Sequence, residues 1–284
     1  MLLLKLDNLI EGIVTKRPSK LIRSPYVADV SLQDGTEVLA HCASLGCCGL
    51  SDNTSSILIA SSPKPKNKKD DQKLKCSHTV YLSVLKEKDQ INIIGIHPKL
   101  AEKLVYSALS NNCLSSLKDL KYIKAEKKIF IQDKVDSRFD FIRTDSNGLP
   151  FIMEVKNVPL ADYEDISSKE RKKRNYDDRD TNSKVAYFPD GYRKKTEDTV
   201  SPRALKHIKE LTYLVQQEPK TRCIMCYVIQ RIDCLSFQPS LLDLHYRDAF
   251  FEAMKAGVEI ITLVVSWNSN GEAYFVKDNL PINM

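Results

Sequence analysis

The apolar residues of this chain stand in short runs, and the spacing of these runs changes near residue 96. Before that point the runs have the length of β-strands and partly alternate with polar residues. Asp34-Gly35 separates two of them, and this dipeptide is typical of a tight hairpin turn. Several short strands in succession predict a small β-barrel or sandwich, which we assign to residues 1–95.

Residues 96–284 show a different pattern, in which strand-like runs alternate with amphipathic helices. Helical spacing of apolar residues predicts helices at 99–110, 202–216 and 242–256. Strongly apolar runs predict buried strands at 223–229 and 260–265. Alternation of this kind indicates an α/β domain with a mixed sheet. The predicted fold class is therefore α/β (α+β), in two domains.

Composition limits the environment and the partners of the chain. Its 284 residues suffice for two domains at about 150 residues each. No apolar run approaches the ~18–20 residues of a membrane-spanning helix, and the apolar start of the chain is too short for a signal peptide. We therefore expect a cytoplasmic protein with reduced cysteines and no membrane partner. The net charge of +6 permits an anionic partner without requiring one.

Two charged segments interrupt the predicted domains. Residues 61–75 form a Lys-rich loop that includes Lys64 and Lys66, and residues 164–186 form a charged insertion with a basic run at 169–174. Each segment has two interpretations, a solvated surface loop or a contact to phosphate. The solvated loop is favoured for both, and Lys64 and Lys66 remain candidate nucleic-acid contacts.

Three residues on two neighbouring strands suggest a catalytic site. Asp140 lies on one predicted strand, and Glu154 and Lys156 lie on the next, across a turn at 145–148. Glu154 and Lys156 are two residues apart, so their side chains share one face of the sheet. Two carboxylates suit Mg²⁺, and a lysine can stabilise charge in phosphodiester hydrolysis. The spacing alone also fits three unrelated surface residues of a hairpin.

Further residues extend this candidate site. Glu126 precedes the strand of Asp140 and is a candidate third metal ligand. Arg203 and His207 lie one helical turn apart at the start of the predicted 202–216 helix, where free N–H groups favour anions. We predict that these two residues, with Lys206 and Arg138, bind nucleic acid. A solvent-facing start of the helix is the alternative.

The chain resembles the sugar fermentation stimulation protein A (SfsA) family in several motifs that occur in order along most of its length. Those around the candidate site are Ser-Arg-Phe-Asp-Phe at 137–141, Glu-Val-Lys-Asn at 154–157, Phe-Pro-Asp at 188–190 and Arg-Ala-Leu-Lys-His at 203–207. Matching segments elsewhere include 27–30, 34–35, 41–42, 97–104, 257–259 and 280–281.

This resemblance implies a particular fold and function. Residues 1–95 would form an OB-like barrel, and residues 96–284 a nuclease-like domain of the PD-(D/E)xK type. The family is associated with DNA binding that is largely non-specific. In this fold type Asp140 and Glu154 would bind Mg²⁺ or Mn²⁺, Lys156 would be the catalytic lysine, and Glu126 would match a further carboxylate.

The resemblance leaves three hypotheses for function. The first is a metal-dependent nuclease that binds DNA. The second is a non-catalytic DNA-binding or regulatory protein that keeps the nuclease fold. The third is a protein-interaction module that binds no nucleic acid. The strandedness of the DNA and the oligomeric state stay open.

The chain departs from the family pattern at two places. The family loop Cys-Pro-Asn-Thr-Gly reads Cys-Ala-Ser-Leu-Gly at 42–46, so its Asn and Thr are missing. If that loop contacts nucleic acid, the contact is weaker or lies elsewhere. The second departure is the insertion between Leu160 and Tyr187, where the family has a short link.

Overall fold

A computed structural model describes residues 1–44, 49–62, 75–120, 125–189, 191 and 198–284, and for residues 125–127 it describes the backbone alone. Lys64, Lys66 and most of the Lys-rich loop therefore lie outside the described residues. Among the described residues, no helix combines the length and the apolar content that crossing a bilayer requires.

The N-terminal part contains a ring of strands. The seven strands of this part, five of which form the ring, are β1 (Leu2–Lys5), β2 (Ile10–Lys16), β3 (Val27–Leu32), β4 (Glu37–His41), β5 (Ser56–Ser61), β6 (His78–Glu87) and β7 (Gln90–Gly95). The sheet order is β4-β3-β2-β5-β6-β7, and a parallel pairing of β4 with β6 closes a ring of five strands. Val14, Val30 and Ile57 are fully buried inside it. The predicted hairpin at Asp34-Gly35 is confirmed, because β3 and β4 pair across it.

The C-terminal part is a mixed α/β structure, as predicted. Its elements are α1 (Lys99–Ser110), β8 (Ala125–Ile131), β9 (Val135–Thr144), β10 (Pro150–Val158), β11 (Ala161–Asp162), α2 (Ser168–Arg171), β12 (Lys184–Phe188), α3 (Pro202–Val215), β13 (Arg222–Ile229), β14 (Cys234–Pro239), α4 (Leu244–Ala256), β15 (Glu259–Trp267) and β16 (Glu272–Lys277). The main sheet has the order β1-β16-β15-β13-β10-β9-β8, and β10, β13 and β15 are parallel.

The helices lie on both faces of this sheet and bury its centre. Apolar residues of α1 pack into one core with one face of β10, β13 and β15, and those of α3 and α4 pack into a second core with the other face. Parallel strands covered on both faces require nearly continuous apolar sequence, as in β13. Ser201 caps α3, and Gly257 ends α4 in the left-handed conformation.

The sequence pattern does not predict two features of the strand pairing. The short strand β1 joins the C-terminal sheet by pairing with β16, although it lies within residues 1–95. A second sheet forms from β11, β12 and β14. The domain boundary at 95/96 stays a prediction.

The insertion at 164–186 differs from a wholly solvated loop. Residues 172–175 are exposed, as expected, but Asp165 and Lys184 at its two ends are buried. Lys184 Nζ lies 2.9 Å from Asp233 Oδ2 and also forms an ion pair with Glu87 of the ring. A buried ammonium group needs such partners, so this end of the insertion is part of the packed structure.

Strand β7, which pairs with β6 of the ring, contacts the main sheet closely at Gly95. A Cβ added at Gly95 would overlap the side-chain amide of Gln230 and would lie 2.8 Å from Trp267 Nε1. Gln230 is fully buried, so its amide has no open space to move into. A glycine at this position allows the end of β7 to approach the main sheet.

We predict that Gly95→Ala destabilises the protein by about 1–3 kcal/mol, because the added methyl group overpacks this contact. Urea unfolding of both proteins measures the difference. The matched control is the same substitution on a Gln230→Ala background, where the cost is smaller because part of the overlap is gone. An equal cost on both backgrounds would contradict this interpretation.

Candidate active site

Asp140, Glu154 and Lys156 meet at one cavity. Asp140 comes from β9, and Glu154 and Lys156 come from β10, which lies between β9 and β13 in the main sheet. All three line a cavity of about 330 Å³. The structure therefore brings together the three residues that the sequence spacing singled out.

The local geometry depends on the point where β9 and β10 separate. Regular pairing ends at Met153 and Phe141. Beyond it, the backbone N–H of Val155 donates to Asp140 Oδ2 at 2.7 Å. The Asp140 carboxylate thus replaces a strand partner, and this hydrogen bond holds it beside Glu154.

The carboxylate of Glu154 is buried and only partly satisfied. Lys156 Nζ donates to Glu154 Oε1 at 2.6 Å, and His207 Nδ1 hydrogen bonds the same oxygen. The second oxygen, Oε2, is buried without a hydrogen-bond partner. Burial raises the pKa of Glu154, but the hydrogen bond from His207 and the charge of Lys156 outweigh burial, so the pKa lies below its ordinary value.

The structure assigns His207 a different position from the one predicted. His207 was expected to bind phosphate at the start of α3, yet it is 4% exposed and is held against Glu154. Its ring also packs against Phe139, with the ring centroids 5.8 Å apart. The reason is the amphipathicity of α3, which places His207 among the buried residues of this helix. In this position His207 orients the Glu154 carboxylate.

The pKa of Asp140 is shifted in the opposite direction from that of Glu154. Burial and, after it, the neighbouring charge of Glu154 raise its pKa to about 7, although the hydrogen bond from the Val155 N–H and the charge of Lys156 act in the opposite direction. Two carboxylates in one site commonly separate their pKa values in this way. In the protein without a metal ion, Asp140 therefore holds a proton close to neutral pH.

The site has the donor chemistry for a divalent cation. The orphaned Oε2 of Glu154 and the carboxylate of Asp140 are hard oxygen donors at one cavity, and such donors suit Mg²⁺, which retains several waters. Within the described ranges, no group of three or more His, Cys, Asp or Glu side chains could hold a metal ion. Asp140 and Glu154 at one cavity fit an ion that takes two protein carboxylates and completes its coordination with water.

One acidic residue at this cavity was missed by the sequence interpretation. Glu102 of α1 lines the cavity, and its charge contributes to the raised pKa of Asp140. Its sequence position shows only an acidic residue in the first turn of a helix, and the packing of α1 against β10 is what brings it here. The side chain of Glu126, the carboxylate that was predicted, lies outside the described part of the chain.

The basic residues predicted for nucleic acid lie beside the cavity. Arg203 is exposed and lines the cavity itself. Arg138 and Lys206 line an adjoining depression that Arg203 shares. Lys206 is half exposed, and its Nζ donates to the carbonyl of Asp136 at 2.6 Å. These three side chains form a basic rim next to the carboxylates.

Comparison with known protein families shows which family the chain is related to. Residues 99–169 and 177–271 match the family described as "Sugar fermentation stimulation protein RE domain". A sugar fermentation stimulation protein homolog of Crocosphaera subtropica is 32% identical over 256 residues, which cover 89% of this chain and 87% of that protein. A homolog of Jannaschia sp. is 31% identical over 86% of each chain. The chain belongs to the SfsA family.

A solved structure has the same fold. The SfsA of Pyrococcus furiosus, determined in complex with Ca²⁺, superposes with a TM-score of 0.73 at 20% identity, and the match covers 100% of both chains. At this identity the match supports the fold, and it extends through both the ring of strands and the mixed sheet.

We predict that Asp140→Asn stabilises the metal-free protein. The folded-state pKa of Asp140 is raised to about 7 from its ordinary value of 3.8, so the wild type loses stability as the pH rises between these two values. Asparagine removes this cost, which reaches up to about 4 kcal/mol above neutral pH. Urea unfolding in chelator at about pH 8 and about pH 4.5 measures it, and the gain should shrink at the lower pH.

The matched control is Asp136→Asn on the same strand. Asp136 is exposed, and the hydrogen bond from Lys128 together with its charge lowers the pKa of this carboxyl. This control should give no gain in stability at either pH. An Asp140→Asn variant that is no more stable than the wild type at about pH 8 would show that burial of the Asp140 charge carries no cost.

Proposed function

We propose that this protein is a Mg²⁺- or Mn²⁺-dependent phosphodiesterase that acts on DNA, with a nuclease site of the PD-(D/E)xK type. The observation that carries the proposal is the meeting of Asp140, Glu154 and Lys156 at one cavity, where a buried oxygen of Glu154 has no protein partner. An unpartnered buried carboxylate oxygen is costly unless a cation or water satisfies it. A divalent cation at this position resolves that cost.

Asp140 and Glu154 are the proposed metal ligands. The Ca²⁺ complex of the P. furiosus protein supports a divalent ion in this fold. A bound Mg²⁺ or Mn²⁺ supplies a Lewis acid that lowers the pKa of a coordinated water and offsets charge on the phosphate. His207 fixes the orientation of the Glu154 carboxylate through Oε1, and Oε2 is left without a hydrogen-bond partner.

Lys156 is the proposed catalytic lysine. Its side chain is 12% exposed, and its ammonium group lies 2.6 Å from Glu154 Oε1. A fixed positive charge at the wall of a partly enclosed cavity stabilises the negative charge that develops on a phosphodiester in the transition state. Because Glu154 holds Lys156, the charge needs little reorganisation during the reaction.

The surface beside the cavity is the reason for proposing DNA as the substrate. The basic rim of Arg138, Arg203 and Lys206 adjoins the carboxylates and suits a phosphate backbone. The closed ring of five strands, with a parallel pairing of β4 and β6, supports the OB-type barrel, a fold that commonly binds oligonucleotides. Tyr26, directly before β3 of this barrel, is 40% exposed and stacks on His41 of β4, with the aromatic ring centroids 6.5 Å apart.

A cleavage assay tests the proposed reaction. Purified protein is incubated with labelled single- and double-stranded DNA in Mg²⁺, in Mn²⁺ and in chelator. We expect cleavage that needs the metal and falls by about 100-fold or more in Glu154→Gln and in Lys156→Ala, because each removes a group that acts on charge at the reacting phosphate. Asp136→Asn, on the same strand as Asp140 but exposed, should cleave at the wild-type rate.

Two other outcomes separate the alternatives. Salt-sensitive DNA binding without cleavage in any metal would make the protein a non-catalytic DNA-binding member of the family. Cleavage that persists in Glu154→Gln and Lys156→Ala would trace the activity to a contaminant or another site. No binding to DNA at low salt would contradict the nucleic-acid proposal as a whole.

The basic rim generates a separate prediction about salt. Arg203→Ala should weaken DNA binding and reduce the slope of log affinity against log salt concentration by about 1, because one phosphate contact is lost. Fluorescence anisotropy between about 50 and 200 mM salt measures the slope. Lys5→Ala is the control, since Lys5 lies on β1 and pairs with Glu272. Equal slopes for all three proteins would rule out a phosphate contact by Arg203.

A further inference from the structure

Three polar side chains form a relay across the main sheet, at the ends of its parallel strands. Trp267 ends β15, Gln230 follows β13, and Asn157 lies near the end of β10. Trp267 Nε1 donates to Gln230 Oε1 at 2.7 Å, and Gln230 Nε2 donates to Asn157 Oδ1 at 2.7 Å. The relay therefore runs from the indole to a side-chain amide at the cavity.

The chemistry of the indole sets the direction of this relay. An indole N–H donates a hydrogen bond and cannot accept one, so the atom of Gln230 that faces Trp267 must be its oxygen. The nitrogen of Gln230 then faces Asn157, and the atom of Asn157 that receives it must be Oδ1. Both amide orientations follow from a single donor, without any choice between oxygen and nitrogen positions.

The surroundings of the relay keep it in this arrangement. Gln230 is fully buried and Trp267 is 8% exposed. Gly95 at the end of β7 lies against both side chains, so neither can turn away without displacing β7. A buried glutamine loses its hydration, and its two hydrogen bonds offset that loss only in this orientation.

Asn157 ends the relay at the candidate active site. It lines the same cavity as Asp140, Glu154 and Lys156. Since Oδ1 is turned to Gln230, Nδ2 is the polar atom of this amide that is left for a ligand. An amide nitrogen donates to anions and does not coordinate Mg²⁺, which takes oxygen ligands.

We propose that Asn157 Nδ2 donates a hydrogen bond to a non-bridging oxygen of the substrate phosphate, and that Gln230 and Trp267 are positioning residues that hold it in this orientation. The proposal rests on the proposed function, because the anion is the phosphodiester of the nucleic acid. It separates Asn157 from the metal ligands: Asp140 and Glu154 face a cation, and the neighbouring amide faces the phosphate. A neutral hydrogen-bond donor such as Asn157 Nδ2 has a fixed direction, so it orients the phosphate in a way that the charge of Lys156 does not.

The test uses Asn157→Asp, an isosteric change. The aspartate still accepts the hydrogen bond from Gln230 Nε2, but it has no N–H for a phosphate. Binding of a short labelled duplex is measured by anisotropy in Ca²⁺ buffer at two salt concentrations. We expect a loss in affinity of about 10-fold or more, as for a hydrogen bond to a charged group. Repulsion by the new charge would fade at the higher salt, whereas the loss of the donor would persist.

A second variant removes the orientation without adding charge. Trp267→Phe keeps an aromatic ring but lacks the indole N–H, so Gln230 and Asn157 are free to reverse. We expect a several-fold loss in affinity at a temperature well below the midpoint of unfolding, and a lower midpoint, because the buried Gln230 Oε1 loses its donor. Trp267 is the single tryptophan of the chain, so its emission reports on the relay in the wild type and should shift when the duplex binds.

The outcomes are distinct from those of the proposed function. Wild-type binding combined with a less than two-fold change in both Asn157→Asp and Trp267→Phe would overturn the role of Asn157 and leave the proposed function standing. A loss in Asn157→Asp that disappears at the higher salt would also overturn it, since charge alone would then explain the effect. Failure of the wild type to bind the duplex would overturn both proposals.

Discussion

The buried carboxylate of Glu154 is the group on which the rest of the site depends. It lies on β10, where burial raises its pKa, but the hydrogen bond from His207 and the charge of Lys156 outweigh burial and bring the pKa below its ordinary value. That arrangement leaves Oε2 without a partner and raises the pKa of Asp140 nearby. In the proposed function, a divalent cation satisfies this oxygen and the Asp140 carboxylate.

The mixed sheet determines where the side chains of the candidate active site lie, and the packing around the sheet determines how they are oriented. Neighbouring strands β9 and β10 carry Asp140, Glu154 and Lys156, and Glu102 of α1 and Arg203 of α3 complete the cavity from distant parts of the sequence. Strand β7, which pairs with β6 of the ring, brings Gly95 against Gln230 and Trp267. The N-terminal part therefore contributes to the geometry of a site whose carboxylates it does not carry.

Much of this arrangement is readable from the sequence, because it is local. Hairpin spacing places Asp140 beside Glu154 and Lys156, and apolar periodicity places α1 within the bounds observed. The pairing of β1 with β16 joins residues at the two ends of the chain, and no local pattern encodes it. His207 shows the same limit, since its spacing from Arg203 suggested a shared surface, and only tertiary packing decides that it is buried. Glu102 reaches the cavity for the same reason.

The most direct test of the central claim is Mn²⁺ binding followed by electron paramagnetic resonance, in the presence of a short DNA duplex. The account predicts stoichiometric binding by the wild type and its loss in Glu154→Gln, with Asp136→Asn unchanged. Equal Mn²⁺ binding by the wild type and Glu154→Gln would contradict it, because the ion would then be held elsewhere. An absence of binding by the wild type would contradict it equally.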